Sequence, residues 1–318
     1  MRTLLEKSRR YVSRLNSAAQ ERRLRHEQAE VVRLASSGNA RPDLVFGKFS
    51  DDLWLWANTA GYREHQELRA ILPAMPDEGT QARFTGLTGD ETLIPAFEAY
   101  ALLKQLSEKY LGRISDVQCI LDFGCGWGRM VRFFLKDLEP SRIWGADCLS
   151  SIINICRQTN KWCNFRLVEP VPRTTFPDEM FDLIYSYSVF SHLSEDLHKK
   201  WLLEFKRILK PGGLLINTTM GRRFIEYCRT LRQLQGPDVT RMATVFPNTE
   251  QSLSDYDKGN YCHHPLHGGD ILEPSFFGET CIPKAYVLDH WTEQFEFLEF
   301  IEDSDPKSQN VIVVRKSD

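Results

Sequence analysis

Residues 120–128, IleLeuAspPheGlyCysGlyTrpGly, set the strictest limit on how this chain can fold. The apolar residues up to Phe123 predict a buried strand. Gly124, Gly126 and Gly128 then alternate ahead of a helix expected over about 127–137. Glycine tolerates positive φ and close approach of a ligand to the backbone, and a helix N-terminus supplies free N–H groups. The pattern therefore predicts a strand–loop–helix unit whose loop binds a polar ligand.

Beyond this loop, short apolar runs alternate with helical segments towards the C-terminus. Strands separated by helices pair in parallel through right-handed crossovers, whereas the final two are joined by a short charged turn that favours antiparallel pairing. We expect an α/β fold, a doubly wound seven-stranded sheet whose last strand is antiparallel, with an N-terminal helical cap. The expected strands are 117–123, 142–147, 164–168, 181–187, 212–219, 295–300 and 310–315, with helices at 149–160 and 194–209.

Asp147 ends the second of these strands, 19 residues beyond Gly128. A carboxylate there can accept two hydrogen bonds from the hydroxyls of a ribose. The glycine spacing excludes a dinucleotide fingerprint, because Arg129 stands where the third glycine is needed. A P-loop is excluded because no GlyLysSer or GlyLysThr follows. The loop and the carboxylate together predict a nucleoside with a polar tail as the ligand.

Four segments between residues 115 and 220 resemble the class I S-adenosylmethionine-dependent methyltransferases. The glycine loop, LeuAspPheGlyCysGlyTrpGly, is similar to the first motif of that family, and residues 144–150 to its ribose-binding acidic strand. Segments 176–193 and 209–216 are similar to its fourth- and fifth-strand regions. The resemblance implies S-adenosylmethionine as the cofactor. It also implies attack of a nucleophile on the methyl group, which mainly needs alignment and desolvation.

The same resemblance implies a set of cofactor contacts around the loop and the second strand. Gly124, Cys125 and Gly126 would wrap the amino-acid end of the cofactor, and Asp122 would orient the loop from the strand. Asp147 would hold the ribose.

The resemblance also implies contacts beyond Asp147. Cys148 and Leu149 would line the adenine, and Ser186 and Tyr187 would lie near the sulfonium. Many members of the family bind the adenine amino group through an Asp after the third strand. Here a proline stands at that place with Glu169 beside it, so either Glu169 takes the role or the backbone alone reads adenine.

Two histidines are candidates for a general base, because an ordinary imidazole has a pKa close to neutrality. His192 lies just past the fourth strand, near where a substrate would enter. His264 belongs to the histidine-rich stretch 262–270. Each could instead be a structural histidine. The spacing of that stretch matches no zinc site, so no metal is expected.

The first 110 residues are expected to form a helical extension or cap. Residues 1–35 predict a helix with nine Lys/Arg and four Glu, and a second helical segment is expected over about 43–72. Arg83 and Thr85 fall before the third helix, with Thr85 in a predicted loop. They either cover the carboxylate of the cofactor or belong to a plain linker. The basic N-terminal helix is a candidate surface for a homo-oligomer or another partner.

Residues 111–318 make up the expected methyltransferase domain, with a substrate-side insertion of one helix and a long irregular stretch at about 221–282. The arrangement resembles bacterial methyltransferases that modify glycans or small molecules. The fourth strand lacks the Asn/Asp-Pro-Pro-aromatic sequence of enzymes that methylate amino groups of bases. We therefore expect an O-methyltransferase acting on a sugar or another small molecule. Two alternatives stay open: an RNA methyltransferase that uses the basic N-terminal segment, and a non-catalytic cofactor-binding partner protein.

The amino-acid composition limits which binding partners and which cellular compartment are expected. A net charge of -3 gives no bulk attraction to nucleic acid or membrane, so nucleic acid is not an expected partner. No apolar run reaches the roughly 20 residues of a membrane span, and the charged N-terminus does not fit a secretory signal. Eight cysteines without a CxxC pair are typical of reduced thiols. The expected location is the cytoplasm.

Overall fold

A computed structural model describes most of the chain, and the part of the predicted first helix before Ala18 lies outside it. Contacts divide the chain into two compact units, residues 2–167 and residues 168–318. The expected domain boundary near residue 110 falls within the first unit and stays a prediction. In the part of the chain that is described, no helix is long and apolar enough to cross a membrane. The described residues are 18–37, 40–233, 241–305 and 307–317.

Helices precede the sheet in the first unit. The helical segment expected over 43–72 is broken into four short helices. Residues 47–50 separate the first two, and Thr59 (φ −117°, ψ −100°) and the extended His65 interrupt the rest. The helices are α1 (Ala18–Ala35), α2 (Pro42–Phe46), α3 (Asp51–Asn58), α4 (Ala60–Glu64), α5 (Gln66–Ile71), α6 (Glu78–Thr85) and α7 (Gly89–Leu111).

The loop predicted to include Thr85 is shorter than expected. Thr85 is the last residue of α6, and only residues 86–88 connect this helix to α7. The carboxylate of Asp77 accepts a backbone N–H in the first turn of α6 at 2.9 Å, which is a favourable N-terminal cap. Gly86 ends the helix in the left-handed conformation, with φ 71°.

Three parallel strands complete the first unit, as predicted. β2 pairs with both β1 and β3. The helix expected over 127–137 is reduced to α8 (Val131–Phe134), because Gly128 has φ 80° and residues 127–130 form turns instead. The strands are β1 (Ile120–Phe123), β2 (Ile143–Asp147) and β3 (Asn164–Leu167), with helix α9 (Ser150–Thr159) and 3-10 turns at Ile114–Asp116 and Pro140–Arg142.

The second unit contributes four strands to the seven-stranded sheet. β4 is parallel to β5, while β9 is antiparallel to both β5 and β8. The order in the seven-stranded sheet is β3-β2-β1-β4-β5-β9-β8, which confirms the predicted fold class. The elements are β4 (Phe181–Ser186), α10 (Glu195–Ile208), β5 (Leu209–Thr219), α13 (Lys284–His290), β8 (Phe295–Ile301) and β9 (Asn310–Lys316).

The insertion after β5 is more regular than predicted. It contains α11 (Arg222–Gln233), a 3-10 turn at Arg241–Thr244, α12 (Thr249–Asp257) and an antiparallel pair, β6 (Cys262–Pro265) with β7 (Gly278–Cys281). The other edge of β7 lies against the connection that follows β4. The backbone N–H groups of Gly278 and Thr280 donate to the carbonyls of His192 and Ser191, at 2.8 and 2.7 Å. The insertion is therefore fixed at the carboxyl end of β4.

A buried histidine in α10 makes the stability of the protein depend on pH. His198 is fully buried, and its Nε2 accepts a hydrogen bond from Nε1 of Trp291 at 2.9 Å. Burial lowers the pKa of His198 to about 3. The unfolded chain therefore takes up the proton first, at a pKa of roughly 6.5, so stability is complete above that pH and is lost as the pH falls towards 3.

We expect the free energy of unfolding to fall by about 2 kcal/mol between pH 7 and pH 5 through this group alone. Urea unfolding at the two pH values would measure it. His198→Gln keeps an acceptor for Trp291 but cannot titrate, so its loss should be smaller by that amount. Equal losses in the two proteins would contradict the assignment.

Candidate functional site

The glycine loop after β1 is held in a conformation that favours glycine. Gly124, Gly126 and Gly128 have φ values of 76°, 51° and 80°, in the left-handed region where other residues are strained. The N–H groups of Gly124 and Cys125 both donate to the carbonyl oxygen of Ala146, at 2.8 and 3.0 Å. The loop is thereby bound to the end of β2.

Asp147, the last residue of β2, closes the loop from the other side. Its Oδ2 accepts the N–H of Gly126 at 3.0 Å, and its Oδ1 accepts the N–H of Leu149 at 3.0 Å. Burial raises the pKa of this carboxyl, opposed by the hydrogen bonds from Leu149 and Gly126. A carboxylate has about four lone-pair sites, so Asp147 retains capacity for ligand hydroxyls.

The other residues predicted to contact the cofactor lie in β1, in the glycine loop and directly after β2. Asp122, Cys125 and Leu149 are buried, and Cys148 is half-buried. Asp122 is the third residue of β1, which ends at Phe123 as predicted.

The segment before α7 approaches the loop. A Cβ added to Gly126 would lie 3.6 Å from Cδ1 of Phe84, a residue that the sequence analysis overlooked. Arg83 is exposed, and its positive charge offsets a small part of the rise that burial causes in the pKa of Asp147. The hydroxyl of Thr85 pairs with the backbone of Leu87 instead.

In the second unit, Ser186 and Tyr187 lie at the carboxyl end of β4. Ser186 ends the strand and is fully buried, Tyr187 follows it half-buried, and Glu169 is exposed before the strand begins. In register with Ser186 on β5 stands Asn217, which is also fully buried. No sequence motif pointed to Asn217.

His192 has two partners on β7. Its Nδ1 lies 2.9 Å from the carbonyl oxygen of Gly278 and 3.5 Å from Oε2 of Glu279. A carbonyl oxygen can only accept, so Nδ1 carries the proton, and in the neutral ring Nε2 holds the lone pair. The carboxylate of Glu279 is almost fully buried and would stabilise a positive charge on this imidazole.

The two neighbouring histidines of β6 differ in their surroundings. Nδ1 of His263 lies 2.8 Å from Oγ1 of Thr280, and burial lowers the pKa of His263 to about 4. His264 is in register with Glu279 and packs near the ring of Phe246, and burial lowers its pKa. Within the described residues, no group of three or more His, Cys, Asp or Glu side chains could hold a metal ion.

Part of the chain matches a known protein family. Residues 120–213 match the family described as "Methyltransferase domain". The chain is similar to the fatty-acid O-methyltransferase of Mycolicibacterium smegmatis, with 29% identity over 106 residues, 33% of this chain and 38% of that protein. It is also similar to the trans-aconitate 2-methyltransferase of an Azoarcus species, with 28% identity over 134 residues, 41% of this chain and 50% of that protein.

Residues 120–213 therefore form a methyltransferase domain, and the sheet has the fold of the class I S-adenosylmethionine-dependent methyltransferases. The cofactor of this domain is S-adenosylmethionine. Among solved structures, the methyltransferase is similar to the N-methyltransferase NodS from Bradyrhizobium japonicum in complex with S-adenosylhomocysteine, with a TM-score of 0.46, 16% identity, and 76% and 100% of the two chains covered. The chain spans half or less of the length of the two curated relatives.

The residues of the glycine loop are compatible with this cofactor. Three glycines with positive φ form the loop backbone, and a buried carboxylate stands beside it. Trp127, within the loop, is buried, and its Nε1 has no hydrogen-bond partner among the described residues. A buried donor without a partner is uncommon in native proteins and suits a ligand that carries acceptor atoms.

Proposed function

We propose that this methyltransferase transfers a methyl group to a hydroxyl oxygen of a small molecule, with His192 as the general base. The observation that carries the proposal is the contact of His192 Nδ1 with the Gly278 carbonyl at 2.9 Å and with Glu279 at 3.5 Å. It leaves Nε2 as the basic nitrogen and gives the imidazolium a nearby carboxylate once a proton has been accepted.

The need for a general base distinguishes hydroxyl acceptors from carboxylic acids. Aliphatic and phenolic hydroxyls hold their proton at neutral pH, so a base raises their nucleophilicity. Carboxylic acids are already ionised and need none. The names of the two curated relatives identify a fatty acid and trans-aconitate as their substrates. These names support a small-molecule acceptor, and both acids serve as comparators for the hydroxyl proposal.

The proposal assigns the cofactor contacts to the first unit. Asp147 holds the ribose hydroxyls, Gly124 to Gly126 receive the amino-acid end, and Trp127 donates to its carboxylate. Bound S-adenosylmethionine would supply a methyl group from its sulfonium, which would leave as a neutral thioether. His192 takes the proton from the acceptor hydroxyl at Nε2, while Gly278 keeps its ring oriented.

We expect His192→Asn to reduce kcat/KM for a hydroxyl acceptor by about 10²–10⁴-fold. The asparagine amide can still donate to Gly278, but it cannot accept a proton. Transfer of labelled methyl groups to catechol, methyl glucoside, myo-inositol, palmitate and trans-aconitate would identify the acceptor. His267→Asn is the matched control, because His267 is an exposed histidine in the connection between β6 and β7.

Transfer only to the two acids, with equal rates in His192→Asn and the unmodified protein, would refute the hydroxyl proposal. A base role also predicts that activity falls on the acid side of the pH profile, and that His192→Asn loses this dependence.

A further inference from the structure

Two polar side chains at the carboxyl ends of β4 and β5 lack hydrogen-bond partners. Ser186 and Asn217 are each 0% exposed and stand in register on neighbouring strands. Residues paired in this way point to the same face of a sheet. Among the described residues, Ser186 Oγ and both Asn217 Oδ1 and Nδ2 have no partner.

The next residue along β5 shows that this sheet end can satisfy a buried polar group. Thr218, 2% exposed, accepts the N–H of Ser188 at Oγ1 at 2.7 Å and also pairs with Gln309. The Thr218 hydroxyl therefore both accepts and donates a hydrogen bond. Buried polar groups without partners destabilise a folded protein, so the contrast between Thr218 and Asn217 calls for a ligand at Asn217.

The turn after β4 is held rigidly beside the pair. Ser188 has φ 62°, which is strained for a residue with a side chain. Its N–H is bound to Thr218, and its Oγ accepts a hydrogen bond from Nε2 of Gln309 at 2.8 Å. Strained residues of this kind persist where their surroundings fix them, and they cluster at binding sites.

We propose that Ser186 and Asn217 form a neutral subsite that binds a second hydroxyl group of the methyl acceptor, adjacent to the one that is methylated. The inference rests on the proposed function and narrows it to neutral, polyhydroxylated acceptors such as sugars, cyclitols or catechols. A hydroxyl and an amide supply donors and acceptors without charge, which suits a hydroxyl better than a carboxylate.

The position of the pair agrees with this role. Ligands of open α/β sheets bind beyond the carboxyl ends of the strands, and His192 follows Ser186 in the same connection. Both side chains are shielded in this structure. A hydroxyl of the acceptor therefore reaches them only after a local movement of the residues that cover the pair.

The first test does not depend on methyltransferase activity. Thermal unfolding of Asn217→Leu and Ser186→Ala without ligand should give a Tm equal to that of the unmodified protein or about 2 °C higher, because an unsatisfied polar group is removed. Thr218→Val is the control, and its Tm should fall because satisfied hydrogen bonds are lost. A lower Tm for Asn217→Leu and Ser186→Ala would mean that buried water already satisfies the pair, and would overturn the proposal.

The second test measures binding in the presence of saturating S-adenosylhomocysteine. Catechol, methyl glucoside or myo-inositol should raise the Tm of the unmodified protein. Asn217→Leu should bind the active compound about tenfold more weakly, and S-adenosylhomocysteine with unchanged affinity. Stabilisation only by palmitate or trans-aconitate, or by no neutral compound, would overturn the assignment.

The base proposed at His192 and the subsite proposed at Ser186 and Asn217 can be refuted independently. If a hydroxyl compound is methylated with dependence on His192, but Asn217→Leu and Ser186→Ala bind it as tightly as the unmodified protein, the subsite is wrong and the proposed function stands. If Asn217→Leu weakens binding of a hydroxyl compound while His192→Asn keeps full activity, the subsite stands and the base is wrong.

Discussion

Asp147→Ala is expected to weaken the binding of S-adenosylmethionine by about 10²–10⁴-fold. The carboxylate is proposed to accept two ribose hydroxyls, and hydrogen bonds to a charged group contribute about 1.5–3 kcal/mol each. Together they correspond to about 3–6 kcal/mol of binding free energy. The effect is large because the lost acceptor is buried and water replaces it poorly.

The same carboxylate also orders the loop that receives the cofactor. Alanine would leave the N–H groups of Gly126 and Leu149 without the partners they have at 3.0 Å. Asparagine would not be a mild replacement, because its amide nitrogen would face one of these two donors. We therefore expect Asp147→Asn to bind the cofactor nearly as weakly as Asp147→Ala.

Calorimetric titration with S-adenosylmethionine and S-adenosylhomocysteine would measure the change, with NAD as a ligand that should not bind. Asp116→Ala is the control, because Asp116 is an exposed carboxylate in the same unit. Circular dichroism would establish that each variant is folded. Equal affinities for the Asp147 variants and the unmodified protein would remove Asp147 from the cofactor site.

The part of the site carried by consecutive residues could be predicted from the sequence. Alternating glycines after a strand specify positive φ values locally, and the structure has them at Gly124, Gly126 and Gly128. Asp147 could be placed because β1 and β2 are parallel neighbours, so both of their carboxyl ends lie at one edge. Local backbone geometry and strand order were sufficient to predict the positions of these residues.

The partners of His192 could not be predicted, because they lie 86 or more residues away along the chain. A lone glutamate in an insertion gives no signal of its own. Gly278 is explained only by the folded structure, in which a Cβ at this position would lie 2.1 Å from the carbonyl oxygen of His264. Asn217 was missed for a similar reason, since it occurs inside an apolar strand with no motif around it.

The errors in secondary structure have tertiary causes. The helix expected after the glycine loop depends on residues 127–130 taking helical angles, but Gly128 does not. The insertion was expected to contain one helix and a long irregular stretch, but β6 and β7 pair within it. Its regular pairing depends on β7, which is also hydrogen-bonded to the connection after β4.

A buried arginine ties the glycine-loop region to the N-terminal helices. Arg132, in α8, is 1% exposed and donates to the side chain of Asn58 at 3.2 Å, to the carbonyl of Pro73 and to the sulfur of Met75. Burial lowers its pKa to about 10. All three acceptors are uncharged, so the guanidinium is held by hydrogen bonds rather than by an ion pair with them.

Arg132→Ala should therefore lower the free energy of unfolding by about 3–5 kcal/mol. It leaves the acceptors of Asn58 and Pro73 buried without donors, at about 1–3 kcal/mol each, and it opens a cavity. Arg132→Met should lose less, because methionine fills the space and removes a charge that burial disfavours.

Urea unfolding would measure both variants. Arg113→Ala is the control, since its side chain is 82% exposed and its pairing with Asp116 should contribute under about 1 kcal/mol. Hydrogen exchange should show faster opening of residues 58–75 in Arg132→Ala than in the control. If Arg132→Ala were as stable as Arg113→Ala, the three hydrogen bonds of Arg132 would contribute nothing net to the free energy of unfolding.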